Sequence, residues 1–226
     1  MNVMPKQLEE LRCVPLLVSL MTLLLAYPYL QSRAWVMGLL ATGVMVGAIV
    51  ALSRRRATLI AAIATGVPAT AAHWFGLDGV PGLSALLLWL AFCGTTVSIV
   101  LCYVFRRGVI STDKLIGAVC VYLLLGLLFT GLHHLVFNLD PDAYVFLRQP
   151  DPNVHQCWAD LLYFSFVTLT TLGFGDIAPV SSPARGLTII ESVTGVLYMA
   201  VLVAWIVGLY RQPKPPAGGS DDRHDG

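Results

Sequence analysis

Between Thr170 and Asp176 the chain reads Thr-Thr-Leu-Gly-Phe-Gly-Asp, two glycines flanking one aromatic residue. Gly173 and Gly175 can take φ > 0 at alternate positions, which successive carbonyls need in order to turn toward one side. The hydroxyl of Thr171 adds an oxygen at one end and the carboxylate of Asp176 adds a cation-attracting charge at the other. A Gly-x-Gly alone is weak, because a turn between two helices carries it too. Here a hydroxyl-rich apolar run leads into the segment and a long apolar run follows it, so helices must position it from both sides.

Composition says where those helices sit. With 57% hydrophobic and 12% charged residues and a mean hydropathy of +0.75, the chain is more apolar than the roughly 45–50% of soluble domains. Against the roughly 20 residues that cross a bilayer core, the apolar runs at 13–31, 35–52, 57–75, 83–105, 115–138 and 186–210 are candidate spans. A shorter run at 160–171 suits a re-entrant helix, tolerated at membrane depth only when protein or a water-filled cavity surrounds it. The fold expected is an all-α membrane protein with six transmembrane helices, a pore helix and a loop. The first run is read as a span rather than a signal peptide, since Glu9 and Glu10 precede it and no small-x-small cleavage site follows. The net charge of +1 and the lack of a long basic cluster give no reason to expect a nucleic-acid partner.

Residues 115–210 resemble the pore module of the tetrameric potassium-channel superfamily. Tyr163-Phe164-Ser165 resembles the family's pore helix, Thr168 to Asp176 its selectivity-filter signature, and Pro179, Arg185 and Gly195 match residue types of bacterial two-helix members. The resemblance implies a homotetramer in a lipid bilayer. Rings of oxygen from Thr171, Leu172, Gly173, Phe174 and Gly175 would replace the hydration shell of permeating potassium, with Asp176 at the outer mouth. It implies no catalysis, no cofactor, and no metal other than the permeating ion. Gly195 falls at the family's gating hinge, although close helix packing accounts for a membrane glycine equally well. Two departures matter. Phe174 lacks a hydroxyl, so a hydrogen bond from the filter aromatic to the pore helix is not expected, and Val167 stands where some members place a glutamate that pairs with the outer aspartate.

Placing the filter's outer mouth outside puts Lys6, Arg12, Arg54, Arg55, Arg56, Arg106, Arg107, Lys114, Arg211, Lys214 and Arg223 inside, and Arg33, Arg148 and Arg185 outside. That is the positive-inside pattern of a multi-pass plasma-membrane protein, here expected in a bacterial inner membrane with both termini cytoplasmic. Residues 1–114 are then a four-helix peripheral domain. Its fourth span, Leu83 to Phe105, carries no charge, so strong voltage gating is not expected. Residues 211–226 read as a disordered cytoplasmic tail, leaving no regulatory domain after the inner helix.

The remaining polar residues carry weaker expectations. Glu191, in the inner-helix run, is a candidate for accepting hydrogen bonds from Thr168 or Thr170, or for lining the ion path. Asp160 is expected to N-cap the pore helix. His73, His133, His134 and His155 are read as packed or interfacial, and a pH-sensing or metal role lacks a carboxylate spacing to complete it. Cys13, Cys93, Cys102 and Cys120 read as small buried hydrophobes, with Cys157 in the loop before the filter. A potassium-selective passive channel subunit is the main reading, a poorly selective cation channel the alternative, and a membrane enzyme or cofactor-binding bundle a remote third.

Overall fold

A computed structural model describes residues 11–30, 34–52, 56–74, 81–106, 111–147 and 156–210. Seven helices account for almost all of them: α1 (Val14–Leu30), α2 (Ala34–Leu52), α3 (Arg56–Trp74), α4 (Pro81–Val104), α5 (Thr112–Leu139), α6 (Gln156–Leu169) and α7 (Ser182–Tyr210). A 3-10 turn at Pro141–Ala143 and the short strands β1 (Tyr144–Phe146) and β2 (Ile177–Pro179) complete the fold. Among the described residues three helices are long and apolar enough to cross a membrane: Leu83–Val104, Thr112–Leu139 and Ser182–Gly208. Val14–Tyr27, Gly38–Ala51 and Trp158–Leu169 are shorter apolar helices. The architecture is mostly helical and membrane-type, as the apolar runs imply, but a count of six full spans is not reached on length and composition alone.

The first four helices pack in chain order, α1 on α2, α2 on α3 and α3 on α4, while α1 and α4 both rest on α5. Leu16, Leu20, Val44, Phe92, Val100, Val104, Val121 and Leu124 form their common core, each with 1% or less of its surface exposed. At one end of this seam Asp113 draws three elements together. Its Oδ1 accepts from the Cys13 backbone N–H at 2.7 Å, and its Oδ2 accepts from the Tyr103 hydroxyl at 2.7 Å. Asp113 therefore caps the start of α1 from the first turn of α5, where an acid is also favoured by the helix dipole. The neighbouring Lys114 donates to the Arg106 carbonyl at 2.8 Å, and its ammonium stands 5.9 Å from the Trp205 ring near the end of α7. Phe105 meets the same indole edge-on at 5.5 Å.

Helix α5 starts at Thr112 with Ser111 as N-cap, and Pro141 stops any continuation beyond Asp140. The chain then enters β1, which pairs antiparallel with β2 in the register Tyr144 with Pro179, Val145 with Ala178 and Phe146 with Ile177. The helical reading of the sequence does not contain this ribbon, because three-residue strands leave no alternating pattern to detect. Two further boundaries differ. Helix α6 begins at Gln156, so Asp160 lies inside it rather than at the N-cap, and Cys157 falls in its first turn. Helix α7 begins one turn earlier than the apolar run at 186–210, because Ser181 caps it through the Ala184 N–H at 3.3 Å.

Candidate functional site

The loop from Thr170 to Asp176 is held between the end of α6 and the start of β2, and its geometry begins at the end of α6. The Thr171 N–H donates to the Thr168 carbonyl at 2.9 Å and the Leu172 N–H reaches back to the Val167 carbonyl at 2.9 Å. These two bonds are a Schellman ending, in which the residue after the cap takes the left-handed conformation. Glycine usually fills that position. Here it is Thr171, with φ of 60°, a β-branched residue in a region that costs it about 1–3 kcal/mol. Gly173 follows at φ 56° and Gly175 at φ 78°, so residues 171, 173 and 175 alternate into positive φ. The two glycines were legible as such; the threonine was not, since its composition argues against the conformation it takes.

At its far end the loop is tied to the ribbon. The Leu147 N–H donates to the Asp176 carbonyl at 2.8 Å and the Val180 N–H to the Ala143 carbonyl at 2.8 Å. Tyr163, from α6, interacts electrostatically with the Asp176 carboxylate. Val167 has no carboxyl with which Asp176 could share a proton. The side chains of Leu172 and Phe174 are 61% and 66% exposed in a single chain. Beside Leu172 an apolar hollow of about 530 Å³ lies between Leu24 and Tyr27 of α1 and the flank of α6.

Close approach seats α6 against its neighbours. A Cβ on Gly126 would lie 2.5 Å from the Phe166 ring, and one on Gly195 would lie 2.1 Å from the Leu169 carbonyl oxygen. Gly195 therefore lets α7 pass directly under the last turn of α6, within an uninterrupted helix. The Leu169 carbonyl also accepts from the Tyr122 hydroxyl at 3.3 Å, and the Thr168 carbonyl from Ser192 Oγ at 3.5 Å.

Glu191 lies on α7 one turn before Gly195, with none of its surface exposed. Its partners are neither Thr168 nor Thr170, whose hydroxyl donates instead to the Phe166 carbonyl at 2.6 Å. Glu191 Oε1 stands 2.5 Å from Ser165 Oγ, and Oε2 stands 2.8 Å from His133 Nε2. Ser165 Oγ is also 2.8 Å from the Gly126 carbonyl, and His133 Nδ1 is 2.6 Å from the Tyr144 hydroxyl. Phe164 packs edge-on against the imidazole at 5.0 Å. His133 and Ser165 are as fully buried as Glu191. Glu191 is thus enclosed within the packing of this chain, and His133 is a packed histidine with a carboxyl partner. The signal missed in the sequence was mutual: two ionisable residues, each inside an apolar run, each need a partner, and they are each other's.

The other candidates lie apart. His134 rests against Trp158 at 5.2 Å and sits 3.1 Å from Asn138 Nδ2. Cys13, Cys93 and Cys120 are buried free thiols, whereas Cys102, expected to be buried, is exposed. His155 and the tail from residue 211 lie outside the described residues, and so does the side chain of His73.

Residues 132–212, which contain His133, Ser165, the loop from Thr170 to Asp176, Glu191 and Gly195, match the ion-channel family. An uncharacterized membrane protein, YdjJ, of Bacillus subtilis strain 168 is 31% identical over 75 residues, which are 33% of this chain and 21% of that protein. Two-pore potassium channel 4 of Arabidopsis thaliana is 42% identical over 50 residues, which are 22% of this chain and 18% of that protein. The chain thus spans about a fifth of the length of these curated relatives. No solved structure matches it.

Proposed function

We infer, from the premise that this chain carries a pore module of the potassium-channel superfamily, that it is one quarter of a homotetrameric, potassium-selective pore that conducts passively. The observation that carries this reading is the alternation of positive φ at Thr171, Gly173 and Gly175, directly after a helix that stops at Leu169. Such a backbone turns successive carbonyls to one side, and four copies about an axis would stack them into rings of fixed dipoles around a dehydrated cation. The carboxyl end of α6 would point the negative end of its helix dipole toward the inner end of that path. Asp176 would complete a ring of carboxylates at the outer mouth.

The exposed surfaces support a tetramer. Leu172 and Phe174 are largely exposed in a single chain, and α7 exposes Ile189, Val193, Val196, Met199, Val203 and Val207 along its length. Neighbouring copies would cover these side chains and line the inner cavity with the remainder. The peripheral helices α1 to α4 would complete six spans with α5 and α7, in the orientation set by the positive-inside count. Because α4 bears no charge, its movement would transfer almost no gating charge. Gly195 stays a candidate hinge in this reading, with its contact on Leu169 as the competing reason for a glycine there.

A poorly selective cation channel is the second reading, favoured by the missing hydroxyl on Phe174 and the 66% exposure of its ring in one chain. Protein purified and reconstituted in liposomes tests both. Potassium flux with a reversal potential far from zero in opposed potassium and sodium gradients supports the first reading, and a value near zero supports the second. No cation flux in any gradient would reject both and bring back the membrane enzyme or cofactor-binding bundle.

A further inference from the structure

The buried chain Tyr144, His133, Glu191, Ser165 and the Gly126 carbonyl joins four elements, and none of its members belongs to the proposed ion path. We propose that Glu191 is held as a neutral carboxylic acid, and that its proton locks this chain into a clamp that positions both ends of the filter.

The inference comes from counting protons. Ser165 has one hydroxyl hydrogen, yet its oxygen lies 2.8 Å from the Gly126 carbonyl and 2.5 Å from Glu191 Oε1. A backbone carbonyl never donates, so the serine proton serves that contact. The shorter contact, at 2.5 Å and so below the usual O–H···O separation, then needs a proton on the carboxyl itself. Glu191 Oε2 is left to accept from His133 Nε2–H at 2.8 Å, and His133 Nδ1 accepts from the Tyr144 hydroxyl at 2.6 Å. Each short contact now holds one proton, and the chain carries no net charge. An ionised pair, with imidazolium beside carboxylate, leaves Ser165 facing two acceptors with a single hydrogen, in a site without exposed surface where such a mismatch is costly. Among the described residues, the titratable groups that face this centre are His133 from α5, Glu191 from α7 and Tyr144 from β1. The pore helix contributes Ser165 and the uncharged ring of Phe164.

The placement gives the proton its consequence. Ser165 lies on the helix that delivers the filter, and Tyr144 opens the strand whose partner receives the chain after Asp176. Glu191 lies one turn from Gly195, which backs the Leu169 carbonyl. Loss of the proton removes the Ser165–Glu191 bond and puts one negative charge behind the filter in each subunit. These are positioning residues, and the role rests on the conducting reading above. Conduction should therefore hold at neutral pH and fall as pH rises.

Full-length protein in liposomes tests this with Glu191→Gln, whose amide N–H donates to Ser165 and whose oxygen accepts from His133, as the neutral acid does. Glu191→Gln should keep wild-type conductance and selectivity while losing the alkaline decline. Glu191→Leu should lower the conducting population about tenfold or more. Infrared spectra of the wild type should show a carboxylic-acid carbonyl band that Glu191→Gln lacks. A folded Glu191→Gln tetramer that does not conduct, or a wild type without that band, overturns the proposal. A wild type that shows the band but passes no cation leaves the proton assignment standing and refutes the channel reading instead. If Glu191→Gln does not fold, its isosteric pattern has failed and the proposal with it.

Discussion

Replacing Gly195 with alanine separates two reasons for a glycine in α7, and they predict opposite signs. If the glycine serves only as a flexible hinge, alanine removes a helix penalty and stabilises the folded chain by about 1 kcal/mol. The contact says otherwise. A Cβ there would stand 2.1 Å from the Leu169 carbonyl oxygen and 3.2 Å from Leu169 Cδ1. The first of these is backbone, fixed at the end of α6 by its own helix, so it cannot swing aside as a side chain would. Overpacking of this kind costs about 1–3 kcal/mol, and so short a contact belongs at the upper end. Moving the carbonyl also lengthens its 3.3 Å bond from Tyr122, worth about 0.5–1.5 kcal/mol. Against the helix gain of about 1 kcal/mol, the net expectation is a loss of about 3 kcal/mol per chain, felt at Leu169, where α6 ends and the loop begins. Thermal unfolding of the purified assembly, followed with flux through the same preparation, measures both effects. The variant should unfold at lower temperature and conduct less. A Gly195→Ala protein more stable than the wild type would refute the packing account and leave the hinge as the reason for the glycine.

Gly173→Ala should abolish conduction, since a Cβ at φ 56° costs about 1 kcal/mol or more in each subunit and redirects the carbonyls; single-channel recording with wild-type-like openings would contradict it. Conductance plotted against voltage should be shallow, because no charge lies between Leu83 and Phe105, and a steep sigmoid would show that gating charge resides elsewhere. Asp113→Ala should destabilise the protein by about 1.5–3 kcal/mol by removing a 2%-exposed acceptor shared by Cys13 and Tyr103. Chemical denaturation would read that loss, with an unchanged midpoint as the contrary result.

The membrane character, the short apolar helix α6 and the positive φ of Gly173 and Gly175 were legible because each leaves a periodic or compositional mark. Apolar runs of span length mark helices whatever they pack against, and glycine marks positive φ wherever the chain needs it. Thr171 leaves no such mark: its left-handed conformation follows from the Schellman bonds at the end of α6, which depend on where that helix stops. Glu191 was legible as anomalous but not as partnered, because 58 residues separate it from His133 and only the packing of α5 beside α7 brings them together. Ser165 was legible only through the resemblance carried by Tyr163-Phe164-Ser165 and not as a partner of Glu191, and Tyr144 had no sequence signal, as a tyrosine near an interface is ordinary. Asp160 misled for the opposite reason. It has the residue type of a cap, but α6 gains a turn ahead of it.

Selective conduction is the central claim, and reversal potentials test it most directly. Purified wild-type protein in a planar bilayer, with potassium on one side and sodium on the other, should give a reversal potential close to the potassium equilibrium value, and Gly173→Ala should remove the current. A wild-type reversal potential near zero in the same gradient would contradict the claim, and the pore would then be a cation channel without selection.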